Sequence, residues 1–124
     1  MRFESIEGLI WVSFELVYEG KVAKIDHCIL DTGSATTAID IDLVEFNYRK
    51  PATIKRLWGI GGGTQEVVGQ VVDKIILDQK ELKQIEIEFG DIQADLGING
   101  FIGNNILSHY RLTIDFKKRE ITFR

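Results

Sequence analysis

The sequence has few of the residues on which disulfide-stabilised and metal-binding proteins depend. Its 124 residues include one cysteine, Cys28, and two histidines. A single cysteine cannot form an internal disulfide, and a zinc site would have no second thiolate to use. We therefore expect no bound metal or cofactor, and a reducing, cytoplasmic environment.

Positive charge and long apolar runs are also scarce, which limits the partners. The net charge is -4, and the densest cationic stretch, residues 117–119, is typical of a solvated hairpin turn. The apolar stretch at residues 9–16 is interrupted by Ser13 and Glu15, which argues against a membrane span or a signal segment. We expect neither nucleic acid nor a membrane as a partner.

What the sequence does contain is a two-residue periodicity in a chain of single-domain length. Hydrophobic residues make up 44% and charged residues 27%, so residues 1–124 are expected to form one globular domain. Asn104 is in a position to cap a short helix through residue 109. The alternation predicts strands at residues 10–18, 21–30, 36–41, 53–58, 65–77, 82–89, 111–116 and 120–123. This pattern indicates an all-β fold, either a compact barrel or a sandwich.

The segment best suited to chemistry is Asp31-Thr32-Gly33-Ser34, which follows directly on a predicted buried strand. A carboxylate at a strand end is well placed for catalysis, and Gly33 allows the backbone to turn tightly beside it. The hydroxyl groups of Thr32 and Ser34 can hydrogen-bond locally and hold the loop. Taken alone, the four residues also fit an ordinary β-turn.

Two later segments distinguish these interpretations. A glycine-rich hairpin tip lies about thirty residues downstream and suits a flap that opens for an extended substrate and then excludes water. The candidate flap residues are Trp58, Gly59, Ile60, Gly61, Gly62 and Gly63. The second segment is Phe101-Ile102-Gly103-Asn104, which is followed by Ile106-Leu107.

In this order the segments resemble the retropepsin-like aspartic proteases. That family has a hydrophobic pair before Asp-Thr-Gly, then a glycine-rich flap, then two apolar residues before Gly-Asn or Gly-Asp and a short helix. The resemblance spans residues 22–123, and residues 110–116 are closer to the cellular and bacterial members than to the viral ones. It implies a small closed acid-protease barrel with a flap hairpin and one short helix near the C-terminus.

The resemblance also implies a function and an assembly. Aspartic protease chemistry needs two adjacent carboxylates, and this chain has one Asp-Thr-Gly, so the second carboxylate must come from another copy. The expected enzyme is a homodimeric aspartic endopeptidase with Asp31 of each chain as the catalytic residue. Thr32, Gly33 and Ser34 would support the loop, and an extended peptide or protein would be the substrate. The alternative is a peptide-binding or assembly module on the same fold, with weak or no catalysis.

The sequence departs from the family after the motif glycine. The viral members usually carry acidic residues two and three positions after that glycine, where this chain has Ala35 and Thr36. Ser34 resembles the pepsin-like form of the motif. On that basis we predict that the Ser34 hydroxyl donates a hydrogen bond to the Asp31 carboxylate.

Overall fold

The computed structural model describes residues 1–58 and 64–124, which form ten strands and two short helices. The strands are β1 (Glu4–Ile6), β2 (Leu9–Tyr18), β3 (Lys21–Leu30), β4 (Ala38–Asp40), β5 (Thr53–Trp58), β6 (Thr64–Leu77), β7 (Lys80–Gly90), β8 (Gly100–Ile102), β9 (Leu112–Asp115) and β10 (Glu120–Phe123). The helices are α1 (Ile92–Leu96) and α2 (Asn104–Leu107). The predicted all-β fold with a short helix near the C-terminus is confirmed.

The main sheet closes on itself to form a barrel. Its strands follow the order β1-β2-β3-β8-β4-β7-β6-β5, and a further pairing of β2 with β6 completes the circuit. The long strand β6 makes this closure possible, because β5 and β2 share one of its edges. Residues 64–69 of β6 pair with β5, and residues 74–76 pair with β2. The hairpin of β5 and β6 therefore extends beyond the closed part of the barrel.

Alternate residues of β2 point into the barrel core. Val12, Phe14, Leu16 and Tyr18 are buried, while the residues between them are exposed or half-buried. A two-residue turn at Glu19 and Gly20 joins β2 to β3, and both residues have the positive φ that such turns require.

The β3 strand contains a bulge shortly before it reaches the Asp-Thr-Gly segment. Val12 faces Cys28 and Phe14 faces Ile25, so two residues of β3 lie opposite Ser13 of β2. One of the two is His27, whose φ of 51° is unusual for a residue other than glycine. The bulge shifts the alternation of β3, and as a result Ile25 and Cys28 are both buried.

The end of β7 does not alternate between buried and exposed residues. In the sequence, residues 84–89 alternate polar and apolar side chains, yet the last four residues of β7 are all buried, including Glu88. At this end β7 is a central strand, because β4 pairs with residues 88–90 on one edge and β6 with residues 85–89 on the other. Thr36 and Lys55 lie against the Glu88 side chain, so its face of the strand is not left to solvent.

The short helices lie on either side of β8. Sequence patterns predicted α2, which begins at Asn104 with Gly103 as the preceding cap residue, but they did not predict α1. A buried carboxylate, Asp40, accepts the backbone N–H of Gln93 in α1 at 2.8 Å and that of Asp42 at 2.9 Å. Within the described part of the chain, neither helix nor any other has the length and apolar character to span a membrane.

We expect Phe89→Ala to lower the free energy of unfolding by about 3–5 kcal/mol. Phe89 is fully buried, and its ring contacts those of Tyr18 and Phe46. Urea unfolding at one fixed chain concentration measures the change. The matched control is Phe116→Ala, because Phe116 is exposed and makes one edge contact with Phe3. That control should cost no more than about 1.5 kcal/mol, and equal losses would contradict the assigned core.

Candidate active site

Asp31 lies where two parallel strands end together. β3 pairs in parallel with β8, with Leu30 opposite Ile102, and the chain enters the Asp-Thr-Gly segment at the next residue. The Asp31 N–H continues the ladder by donating to the Ile102 carbonyl at 2.9 Å. The backbone of Asp31 is therefore held by the sheet, and its side chain begins the loop.

The loop turns tightly around the Asp31 carboxylate. The Gly33 N–H donates to Asp31 Oδ1 at 2.9 Å, and the Ser34 N–H donates to the Asp31 carbonyl at 3.2 Å. Asp31 is half-buried, whereas Thr32 and Gly33 are exposed. A backbone N–H aimed at a carboxylate oxygen fixes its orientation, so this loop presents a positioned carboxylate to an open surface.

The segment that begins α2 supports the loop through hydrogen bonds to the loop backbone. The Asn104 N–H donates to the Ser34 carbonyl at 2.8 Å, and the Asn105 N–H donates to the Ala35 carbonyl at 3.1 Å. The Asn104 side-chain amide adds a bond to the Thr32 carbonyl at 2.7 Å. Three carbonyl groups of the loop therefore accept hydrogen bonds from this one short segment.

This contact requires glycine at position 103. A Cβ atom there would lie 1.9 Å from the Thr36 carbonyl oxygen and 2.7 Å from that of Ser34, both of which are backbone atoms. The φ of Gly103 is -107°, so space and not backbone conformation excludes other residues. The buried Thr37 hydroxyl accepts the Gly103 N–H at 2.9 Å and donates to Asn105 Oδ1 at 2.7 Å.

The predicted hydrogen bond from Ser34 to Asp31 is wrong. The Ser34 hydroxyl donates to the Thr36 carbonyl at 2.8 Å, and its oxygen accepts the Thr36 N–H at 3.4 Å. A hydroxyl has one proton, so the Ser34 side chain stabilises the turn through residue 36 and does not contact the carboxylate.

A second carboxylate, that of Glu88, contacts the loop through Thr36. Thr36 Oγ1 donates to Glu88 Oε2 at 3.1 Å, and Lys55 Nζ lies 3.7 Å from Glu88 Oε1. Burial raises the pKa of Glu88, and this effect outweighs the opposing effects of the Thr36 hydrogen bond and the Lys55 charge.

The flap prediction falls largely outside the described residues. β5 and β6 do form the predicted hairpin, and its last described backbone pair is Trp58 with Thr64. The candidate flap residues Gly59, Ile60, Gly61, Gly62 and Gly63 are not among the residues that the structure describes.

In the described part of the chain, Cys28 and the two histidines are not arranged as a nucleophile with its general base. Cys28 is fully buried, and burial, together with the charge of Asp26, raises the pKa of its thiol to about 12. His27 is in the β3 bulge, in contact with the Trp11 ring, and His109 lies in the turn after α2. The burial of Cys28 is typical of a free cysteine that packs as a small hydrophobic side chain.

Sequence reasoning did not identify the supporting residues Thr37, Asn105 and Glu88. Thr37 falls in the predicted strand of residues 36–41 and Glu88 in that of residues 82–89, so neither had a local signal of its own. Their roles come from contacts between segments that are about fifty to seventy residues apart.

Comparison with known proteins gives support at the level of the fold. No protein-family model matches the sequence, and a search of curated proteins found no match. Among solved structures, the chain is similar to a retropepsin-like aspartic protease from Rickettsia conorii, with a TM-score of 0.61 and 18% sequence identity. The match covers 93% of this chain and 84% of that one. The chain therefore has the retropepsin-like fold that its motifs predicted.

We expect Thr37→Val to destabilise the fold by about 1–3 kcal/mol, because it leaves the buried Gly103 N–H and Asn105 Oδ1 without the hydroxyl that joins them. Urea unfolding gives the free energy, and amide hydrogen exchange at Gly103 should become faster. Thr122→Val is the matched control on an exposed face of β10, with an expected change within about 0.5 kcal/mol. Equal effects of the two substitutions would contradict the proposed support.

We expect the stability of the wild-type chain to fall, relative to Glu88→Gln, as pH rises from mildly acidic to neutral. Burial raises the pKa of Glu88 above its ordinary value of 4.5. The folded chain then binds the proton more tightly than the unfolded chain, and that stabilising contribution is lost as pH rises through the raised pKa. Urea unfolding at a series of pH values measures the difference. A difference that does not change with pH would count against this account.

Proposed function

We propose that this chain is one half of a homodimeric aspartic endopeptidase, in which Asp31 of each copy supplies one catalytic carboxylate. The observation that carries the proposal is the position of Asp31. Its carboxylate is oriented by the Gly33 N–H at the end of β3, in a loop supported by residues 103–105, on a retropepsin-like fold. A loop that only reversed the chain direction would not need this support.

The proposed chemistry uses a water molecule and two carboxylates. When two such groups lie a few ångströms apart, they share one proton, because two like charges at that distance do not both ionise readily. One carboxylate, as general base, takes a proton from the water that attacks the scissile carbonyl. The other gives its proton to the developing oxyanion. The reaction requires no covalent intermediate.

The dimer would place the two loops against each other across a two-fold axis, which makes the active site part of an isologous interface. Thr32 suits this arrangement, because Asn104 holds its carbonyl while its own side chain is exposed. We infer that its hydroxyl bonds to the backbone of the opposite loop and sets the spacing of the two aspartates. Gly33, also exposed, would present its backbone to the substrate.

The β5–β6 hairpin is the proposed substrate clamp. Its strands extend past the closed part of the barrel, and in the sequence they are joined by the glycine-rich segment from Gly59 to Gly63. Together with Trp58, this segment would hold an extended peptide in a β-like conformation. Backbone pairing would then supply affinity, and side-chain pockets would supply selectivity.

We expect Asp31→Asn to abolish peptide cleavage while leaving the fold and the dimer intact, because the amide can neither act as the base nor share the proton. The measurement is a peptide-library digest at acidic pH, with sedimentation of both proteins. Asp95→Asn is the matched control, an exposed aspartate in α1 that should retain full activity. Cleavage that survives Asp31→Asn would falsify the mechanism. No cleavage by a confirmed wild-type dimer would favour a peptide-binding module instead.

We also expect Asp31→Asn to inhibit the wild-type chain when the two are mixed. With equal amounts and free exchange of subunits, only about a quarter of the dimers would carry two aspartates, so activity should fall to about half that of the wild type alone. The control mixture contains Asp95→Asn in place of the inactive chain and should show no loss. Activity unaffected by Asp31→Asn would mean that one chain is sufficient.

A further inference from the structure

Glu88 is an incompletely satisfied carboxylate in the interior. It is 1% exposed, and within residues 1–58 and 64–124 its Oε1 is the one buried side-chain nitrogen or oxygen without a hydrogen-bond partner. Asp40, which is 2% exposed, shows the contrast, since each of its carboxylate oxygens accepts a backbone N–H. An unpaired carboxylate oxygen in the interior costs folding free energy, so Glu88 needs an explanation that Asp40 does not.

The lysine beside Glu88 does not donate a hydrogen bond to Glu88 Oε1. Lys55 Nζ is 3.7 Å from Glu88 Oε1, which is beyond hydrogen-bonding distance. The same ammonium lies closer to Glu86 Oε2, at 3.4 Å, and about a third of the Lys55 side chain is exposed. Two carboxylates therefore share one cation, and Oε1 of the more deeply buried one, Glu88, has no hydrogen-bond donor.

A cavity of about 240 Å³ adjoins this group. Its lining includes Thr36, Lys55, Glu86, Glu88, Asn105 and His109. It is smaller than the roughly 300–1,000 Å³ typical of sites for drug-sized ligands, so it suits a single side chain. With two carboxylates, one ammonium and one imidazole in the lining, the cavity favours an occupant that brings positive charge and N–H donors.

The cavity is close to the proposed catalytic carboxylate. Thr36 belongs to the same loop as Asp31, five residues later, and donates to Glu88 directly. Even a fully extended chain spans only about 3.3–3.6 Å per residue, so Asp31 and Thr36 are within about 17 Å. A peptide bound at Asp31 in an extended conformation would cover that distance in about five residues. Lys55 lies on β5, one of the two strands of the proposed clamp.

We propose that this cavity is a specificity site for a basic side chain of the bound peptide, with Glu88 Oε1 accepting a hydrogen bond from its guanidinium or ammonium group. The proposal rests on the proposed peptidase function and adds a substrate class to it. Arginine is the better fit, because its planar guanidinium offers several donors at once and is more weakly hydrated than an ammonium. Lys55 remains paired with Glu86 when the cavity is filled.

The first test measures binding without any cleavage. The wild-type chain is titrated at neutral pH with N-acetyl-arginine amide, and separately with N-acetyl-norleucine amide, while backbone amide signals are followed by NMR. We expect the arginine probe alone to shift the signals of Thr36, Glu88 and Asn105, and Glu88→Gln to abolish those shifts. No shift at these residues, or the same response to both probes, would overturn the proposal.

The second test measures selectivity in cleavage. A peptide library digested by the wild type should show enrichment of arginine or lysine at one position within about five residues of the cut. For a matched peptide pair with arginine or norleucine at that position, Glu88→Gln should lower kcat/KM for the arginine peptide about ten- to a hundredfold. The norleucine peptide should lose much less, so that the ratio of the two kcat/KM values falls. A general loss of folding would lower both values equally and leave that ratio unchanged.

Glu86→Gln is the matched control, on the same strand and beside the same lysine, with a side chain that is 43% exposed. It should change the preference much less than Glu88→Gln. Equal losses in the two variants, or no basic preference in the wild type, would overturn the assignment to Glu88. If a confirmed wild-type dimer cleaves no peptide, the proposed function fails, and the arginine titration still decides whether the cavity binds a basic side chain.

Discussion

The close contact between Gly103 and the loop of residues 31–36 is the constraint on which the site depends. With no side chain at position 103, the start of α2 lies directly against the loop backbone, and the N–H groups of Asn104 and Asn105 reach carbonyls of that loop. The carboxylate of Asp31 is oriented by the Gly33 N–H within the same loop. A larger residue at 103 would displace the backbone that holds Asp31, without touching Asp31 itself.

The barrel brings these two distant segments together. β8 inserts between β3 and β4, parallel to the first and antiparallel to the second, and so places Ile102 beside the end of β3. The β3 bulge completes the alignment by returning the strand to the register in which Cys28 and Leu30 face inward. Asp31 follows immediately, at the point where side chains pass from the core to the surface.

Much of this architecture could be predicted from local patterns. Alternation located the long strands, and the order of three motifs indicated the retropepsin-like fold that the structural comparison supports. Short elements such as β1, β8 and α1 were not predicted, because three to five residues carry too little periodicity. The bulge at His27 and the burial of Glu88 depend on which strands become neighbours, which no single segment encodes.

Within this fold the two buried carboxylates have different roles. Asp40 accepts hydrogen bonds from two backbone N–H groups and joins β4 to α1, so both of its carboxylate oxygens are hydrogen-bonded within the fold. Glu88 Oε2 accepts a hydrogen bond from Thr36 in the loop of residues 31–36, whereas Oε1 has no hydrogen-bond partner and lies 3.7 Å from Lys55 Nζ. A buried oxygen without a partner costs folding free energy, and the specificity site that we propose would give Oε1 a partner when a basic side chain is bound.

The central claim is that Asp31 is half of a catalytic site, and a dilution series tests it most directly. Sedimentation equilibrium gives the fraction of dimer at each chain concentration, and peptide cleavage is measured on the same samples. The account predicts that activity per chain falls in parallel with the dimer fraction. Constant activity per chain at concentrations where sedimentation finds only monomer would contradict it.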